Sequence, residues 1–179
     1  MLENSYKLLE KYKNYVIQQA RANLSKGRNN VSKTLYNSLK GEVVTEDDYA
    51  IVAFRMELYG QFLDEGVKGA FPNLIKNGKQ KAPNSRFKFT NKRPPSGPIA
   101  EWAKKRNIRL RDEDGKFKKG SYKSIGFVIA RSIYAQGIKP TMFFTKPYQE
   151  GFKKYILGQM PSKVAIDVDR IVDFNLKEK

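Results

Sequence analysis

Between Ser121 and Phe152 the residues prescribe a helix, a stop, a short extended run and a second helix. Ile125, Val128, Ile129 and Ile133 recur at three- and four-residue spacings, which places them on one helical face that must be buried. Gly137 can adopt the left-handed conformation that closes such a helix, and Pro140 prevents its continuation. Thr141 to Phe144 is a compact apolar run. Thr145 is suited to cap the next helix, which tolerates Pro147 in its first turn and carries Phe152, Tyr155 and Ile156 on its inner face. Nothing here has a catalytic signature; the unit reads as scaffold.

The longest periodic segment comes first. Leu2, Tyr6, Leu9, Tyr12/Lys13, Val16, Ala20 and Leu24 trace a helical stripe that Lys26-Gly27 ends. Such a helix is roughly 35 Å long at about 1.5 Å per residue. Two runs with strand character follow, Glu42–Thr45 and Tyr49–Glu57, linked by Glu46-Asp47-Asp48 as a hairpin turn. In the second run Ile51 and Ala53 alternate with Val52 and Phe54, a pattern expected of a strand covered on both sides. Tyr59, Phe62 and Leu63 then fit a short helix closed by Gly66. Asp64 and Glu65 at its end oppose the helix dipole and call for basic partners.

The chain has 179 residues and 40% hydrophobic content, enough for a real core, so composition argues against general disorder and one domain over 1–179 is expected. Lys and Arg number 35 against 18 Asp and Glu, a net charge of +17. Most of the excess lies between Lys68 and Lys123, with 17 basic and 4 acidic residues. We read 67–123 as a basic insertion or arm. Val67 to Pro95 is a long loop with one alternating run, Arg86 to Thr90. Ser96-Gly97-Pro98 opens a helix with Ile99, Trp102 and Ala103 inward and Lys104, Lys105 and Arg106 outward. Ile108–Arg111 and Lys116–Lys119 flank Asp114-Gly115, a two-residue hairpin signal.

The contact candidates are Lys79, Lys81, Arg86, Lys88, Lys92, Arg93, Lys104, Lys105, Arg106, Arg109 and Arg111, interleaved with Phe71, Phe87, Phe89 and Trp102. Cations near aromatics suit a phosphate backbone without base reading, and equally suit acidic subunits of an assembly. Near the C-terminus, Gly158 and Pro161 interrupt the chain. Val164, Val168, Ile171, Val172 and Leu176 then favour a helix; the alternative is a strand through Val164, Ile166 and Val168.

Catalytic patterns are missing. With neither Cys nor His, thiolate sites, the commonest acid–base group and the commonest zinc ligand are excluded. Gly69 to Lys79 lacks the Gly-Lys-Ser/Thr of a phosphate loop, and Ser121/Lys123 and Ser162/Lys163 have the wrong spacing for a Ser–Lys pair. Asp167, Asp169 and Asp173 could be imagined around magnesium, but Asp167 and Asp169 point to different sides of a helix. Asp64 and Glu65 likewise fail to converge as an acid–base pair. We therefore expect no catalytic residue, no cofactor, no metal and no enzyme. No run reaches the roughly 20 apolar residues of a membrane span, and Met1–Asn14 lacks a signal-peptide core, so a protein made and used inside the cell is expected.

Three short elements in order resemble the tail-completion family of tailed bacteriophages, minor tail or neck (head–tail connector) components. Thr34, Leu35 and Ser38 follow a long N-terminal helix and match its Thr-Gly-x-Leu-x-x-Ser-like element. Tyr59, Phe62, Leu63, Glu65 and Gly66 match a second element, and Pro140, Phe143, Phe144, Lys146 and Pro147 a third that leads into a C-terminal helix. Two departures stand out: the glycine after Thr34 is missing, and Val67–Lys123 replaces a short loop. The resemblance implies an α+β fold, a small antiparallel sheet flanked by a long N-terminal helix and C-terminal helices. It implies a virion protein assembled in the host cytoplasm, with no membrane contact. Its partners would be itself, in a ring of about 6 or 12 copies, other neck, portal or tail proteins, and the packaged DNA. Ile51, Phe54, Phe62, Ile129, Ile133 and Phe144 are the core candidates for such a body. The competing class is a free, non-sequence-specific nucleic-acid-binding protein.

Overall fold

The computed structural model describes residues 3–26, 33–46, 49–75, 78–112, 114–117 and 120–177, with side chains to residue 169. The fold is α+β, with a long N-terminal helix, a small antiparallel sheet and C-terminal helices. It divides into two compact units, Met1–Glu57 with Met142–Lys179, and Leu58–Thr141.

In the first unit, helix α1 (Glu3–Lys26) buries Ser5, Leu8, Tyr12, Val16, Ala20 and Leu24. The stripe expected through Tyr6 and Leu9 is displaced by one residue, and both are only half-buried. The cause lies at the other end of the chain. Asp167, on helix α7 (Gly158–Lys177), accepts hydrogen bonds from Asn4 N–H (3.1 Å), Ser5 N–H (2.9 Å), Asn4 Nδ2 (2.7 Å) and Ser5 Oγ (2.9 Å). These backbone donors have no partner within their own helix, so a buried carboxylate serves them and turns Ser5 inward. Burial by itself would raise the Asp167 pKa; the four hydrogen bonds outweigh it and hold the group at about 2.

Short helix α2 (Thr34–Ser38) leads to strands β1 (Lys40–Thr45) and β2 (Ala50–Arg55), paired antiparallel from Lys40↔Arg55 to Thr45↔Ala50. Glu46 N–H donates to Tyr49 O across the link (2.9 Å), while Asp47 and Asp48 of the expected turn lie outside the described residues. β2 is not covered on both sides. Ile51 is 49% exposed, because the sheet has two strands and only the face toward α1 is packed. On that face Phe54 joins Tyr12, Phe144 and Tyr148 in a cluster with ring centroids 5.4–6.1 Å apart, edge-on except for the stacked Phe144–Tyr148 pair. Desolvation there, reinforced by Tyr148, raises the Tyr12 hydroxyl pKa.

Helix α6 (Thr145–Gly151) starts earlier than its sequence suggests. Thr145 is its first helical residue rather than its cap, and Lys146 N–H already donates to Met142 O (3.2 Å). Pro147 sits buried in the first turn as expected. Gly158 and Pro161 do not break the chain: a π-helical turn, Phe152–Leu157, joins α6 to α7. Beside the proline, Ser162 Oγ and Gln159 Nε2 donate to the carbonyls of Gln159 and Lys154. The π-helical turn rotates the face: Phe152 is exposed, and Tyr155 and Ile156 are half-buried. The C-terminal segment is helical, not extended, yet Asp167 faces inward while Ile166 and Val168 are exposed. Side chains at Ile171, Val172, Asp173 and Leu176 lie outside the described residues.

In the second unit, helix α3 (Tyr59–Glu65) buries Gly60 and Asp64 and leaves Tyr59 and Phe62 exposed, the reverse of the expected face. Strand β3 (Val67–Lys68) pairs antiparallel with β4 (Gly137–Ile138) and forms a parallel bridge from Lys68 to Lys88. The start of the Val67–Pro95 loop is held by hydrogen bonds within this unit. Gly69 N–H donates to Gln80 Oε1 (2.6 Å), Gln80 Nε2 donates to Gly69 O (3.1 Å), and Lys81 N–H donates to Gln136 O (2.8 Å).

Helix α4 (Ser96–Lys105) packs on α5 (Tyr122–Gln136), which Ser121 caps through Ser124 N–H (3.2 Å). The face of α5 differs from its isoleucine stripe: Ile125, Gly126, Ala130 and Ala135 are buried, and Val128 is exposed. A Cβ on Gly126 would lie 2.8 Å from Ala100 Cβ, so the small residues set how closely the helices approach. Of the core candidates, Ile51 and Phe62 are exposed and Phe54, Ile129, Ile133 and Phe144 half-buried; among the described residues the largest fully buried side chains are Val16, Leu39 and Pro147. Among the described residues no helix is long and apolar enough to cross a membrane.

Candidate functional site

The second unit carries 19 basic and 6 acidic residues, so it holds +13 of the chain's +17. All eleven candidate cations, Lys79, Lys81, Arg86, Lys88, Lys92, Arg93, Lys104, Lys105, Arg106, Arg109 and Arg111, are exposed. Among the described residues no ion pair forms at Lys79, Lys81, Lys88, Lys92, Lys104 or Lys105. Concentrated cations without neutralising carboxylates repel one another, and the natural relief is a polyanion.

Local folding sorts several of them onto aromatic rings. Arg86 lies 4.8 Å over Phe87, which meets Phe62 edge-on at 4.7 Å. Arg86 also pairs with Glu65 (2.6 Å), the basic partner expected for the acidic end of α3. Arg93 lies 6.0 Å over Tyr134, whose ring is flanked by Phe71 and Phe89, each at 6.2 Å, and whose hydroxyl donates to Thr90 O (2.6 Å). Arg111 and Arg109 lie 4.4 and 5.6 Å over Phe117. Each is within the range of a cation–π contact. Trp102 joins none of these and is half-buried in α4.

Tyr134 and Phe117 are the two members that sequence reasoning missed. Tyr134 follows the last isoleucine of a helix read for its apolar stripe, and Phe117 is a lone ring in a lysine run. The hairpin holding Phe117 also differs from expectation. Asp112 N–H donates to Lys116 O (2.9 Å) and Gly115 has φ +79°, a loop one residue longer than Asp114-Gly115 alone. Lys118 and Lys119 lie outside the described residues.

Beside Phe117 is a cavity of about 410 Å³, lined by Ile108, Arg109, Leu110, Phe117, Gly120, Tyr122 and Ile125. The Tyr122 hydroxyl donates to Asn107 Oδ1 (3.3 Å).

The motif residues fall in two places. Gly66 (φ +74°) lies against Pro140: a Cβ there would be 2.8 Å from Pro140 N and 2.5 Å from Ile138 O. Thr141 N–H and Oγ1 both donate to Leu63 O, at 3.1 and 2.8 Å. Two elements over 70 residues apart in the chain thus meet at the end of α3. Tyr59 is exposed and Glu65 holds Arg86, while Phe143, Phe144 and Pro147 belong to the first unit.

Glu65→Gln should lower the unfolding free energy measured in urea by less than about 1 kcal/mol, because the pair is solvent-screened. A larger loss would assign Glu65 a structural role beyond Arg86.

Among the described residues no three His, Cys, Asp or Glu side chains gather as for a metal ion. Asp167 caps α1, and Asp169 is exposed. Asp64 is buried while Glu65 turns outward to Arg86, so this pair diverges as well. Compared with protein-family models, with curated proteins and with solved structures, the chain matches none.

Proposed function

We propose that this chain is a non-catalytic structural subunit of a tailed-bacteriophage neck or tail, forming a ring around the DNA channel. Its second unit would meet the packaged DNA through exposed lysines and arginines. The observation that carries this reading is the meeting of Gly66 and Leu63 with Pro140 and Thr141, which brings two of the family-like elements into one packed corner. The two-stranded sheet adds to it: its outer edges have no strand partner among the described residues, and Val44, Tyr49 and Ile51 beside them are exposed, as a ring-forming neighbour would require.

Quantitative mass spectrometry of purified particles, scaled to the portal protein, tests it. A copy number equal to the portal's, or a simple fraction of it, is expected; absence from particles overturns the reading. Trp102→Ala should loosen α4 and block tail joining while the monomer stays folded, scored by counting tailed particles. Normal particles would count against that role for α4.

A second reading, a free nucleic-acid-binding protein, is favoured by the cations set over Phe87, Phe117 and Tyr134. It requires tight binding by the purified chain that weakens steeply with salt, and no fixed copy number in particles.

A further inference from the structure

We infer that the cavity beside Phe117 seats one nucleotide of a single-stranded nucleic acid, its base among Ile108, Leu110, Phe117 and Tyr122 and its phosphate toward Arg109. This rests on reading the second unit as a nucleic-acid contact surface, and adds to it a place where a base is held.

Three properties of the cavity converge on that ligand. Its volume, about 410 Å³, falls within the range of roughly 300–1,000 Å³ for pockets that hold small ligands. Among the described residues its lining combines the apolar Ile108, Leu110 and Ile125 with two aromatic rings, one cation and no carboxylate. That composition suits a flat aromatic group bearing a negative charge. Phe117 is 61% exposed, with Arg111 and Arg109 beside its ring, and both aromatic faces and guanidinium planes stack on bases whatever their sequence. The Tyr122 ring is steadied by its bond to Asn107. A base inside a duplex is covered by its neighbours, so the cavity selects an unstacked strand. An acidic peptide would satisfy the arginines without engaging the faces of Phe117 and Tyr122.

The test uses the full chain, a labelled single-stranded oligonucleotide of about 12 thymidines, and a duplex of the same length. Phe117→Ala should weaken single-strand binding about tenfold and duplex binding less than about threefold. In parallel, an oligonucleotide carrying 5-iodouracil should photo-crosslink the wild-type chain within residues 108–125. An equal loss on both nucleic acids, crosslinks mapping elsewhere, or displacement by polyglutamate as effective as by unlabelled oligonucleotide would each overturn the pocket assignment. Those results leave the nucleic-acid surface standing. If the wild-type chain binds neither nucleic acid, the surface reading fails, and the pocket assignment with it. Crosslinking needs no substitution, so misfolding of the variant cannot obscure the answer.

Discussion

Gly137→Ala is expected to destabilise the second unit by about 3 kcal/mol or more. Gly137 has φ +89° and ψ −174°, a conformation essentially restricted to glycine. Space is closed as well: a Cβ there would lie 2.1 Å from Val67 O and 2.6 Å from Gly69 N. Both are backbone atoms held in place, Val67 by pairing with β4 and Gly69 N–H by its bond to Gln80 Oε1, so neither can retreat without opening β3 from β4 or breaking that bond. Trp102 is the only tryptophan and lies in this unit, which makes its fluorescence a direct reporter. Urea unfolding followed at Trp102 should show a much lower midpoint, or no transition. An unchanged midpoint would mean that β3–β4 pairing does not hold the unit together.

Asp167→Asn should weaken the first unit, and the effect should depend on pH. The folded-state pKa of Asp167 is about 2 against an ordinary 3.8. A lowered pKa means that the native state binds the proton less readily than the unfolded chain. The stabilisation is therefore complete above pH 3.8 and is lost as pH falls from there through about 2. At pH 6 the variant should melt roughly 5 °C or more below the native chain, since it loses the charge that Asn4 and Ser5 donate to. The gap should narrow steadily between pH 4 and pH 2. Thermal melts by circular dichroism across that interval would decide it, and a gap that stays constant to pH 2 would rule out the charged clasp as its source.

Much of the architecture is local, and for that reason it was legible. Tyr12 through Leu24 specify a long helix by spacing alone, Gly66 and Gly137 take the positive φ that ends α3 and α5, and the α+β element order follows. The placement of charge is also a property of composition, so the basic character of residues 68–123 needed no structure.

Which side of each element turns inward was not local. Val128 and Val168 have the hydrophobicity to be buried, yet Gly126 with Ala130, and Asp167, hold those places. A close helix pair favours small residues at its contact, and a helix start with unpaired N–H groups favours a carboxylate. Both preferences depend on what lies opposite, and the periodicity of one segment carries no information about its partner. The same holds for the site. Tyr134 gathers Phe71, Phe89 and Arg93, and Phe117 gathers Arg109 and Arg111, only once the loops are folded back. The sequence by itself determined the kinds of element, their order and the excess of positive charge, because these arise from neighbours along the chain. The tertiary structure alone decided the buried faces, the α1 clasp and the aromatic seats of the arginines, because those contacts join residues far apart in sequence.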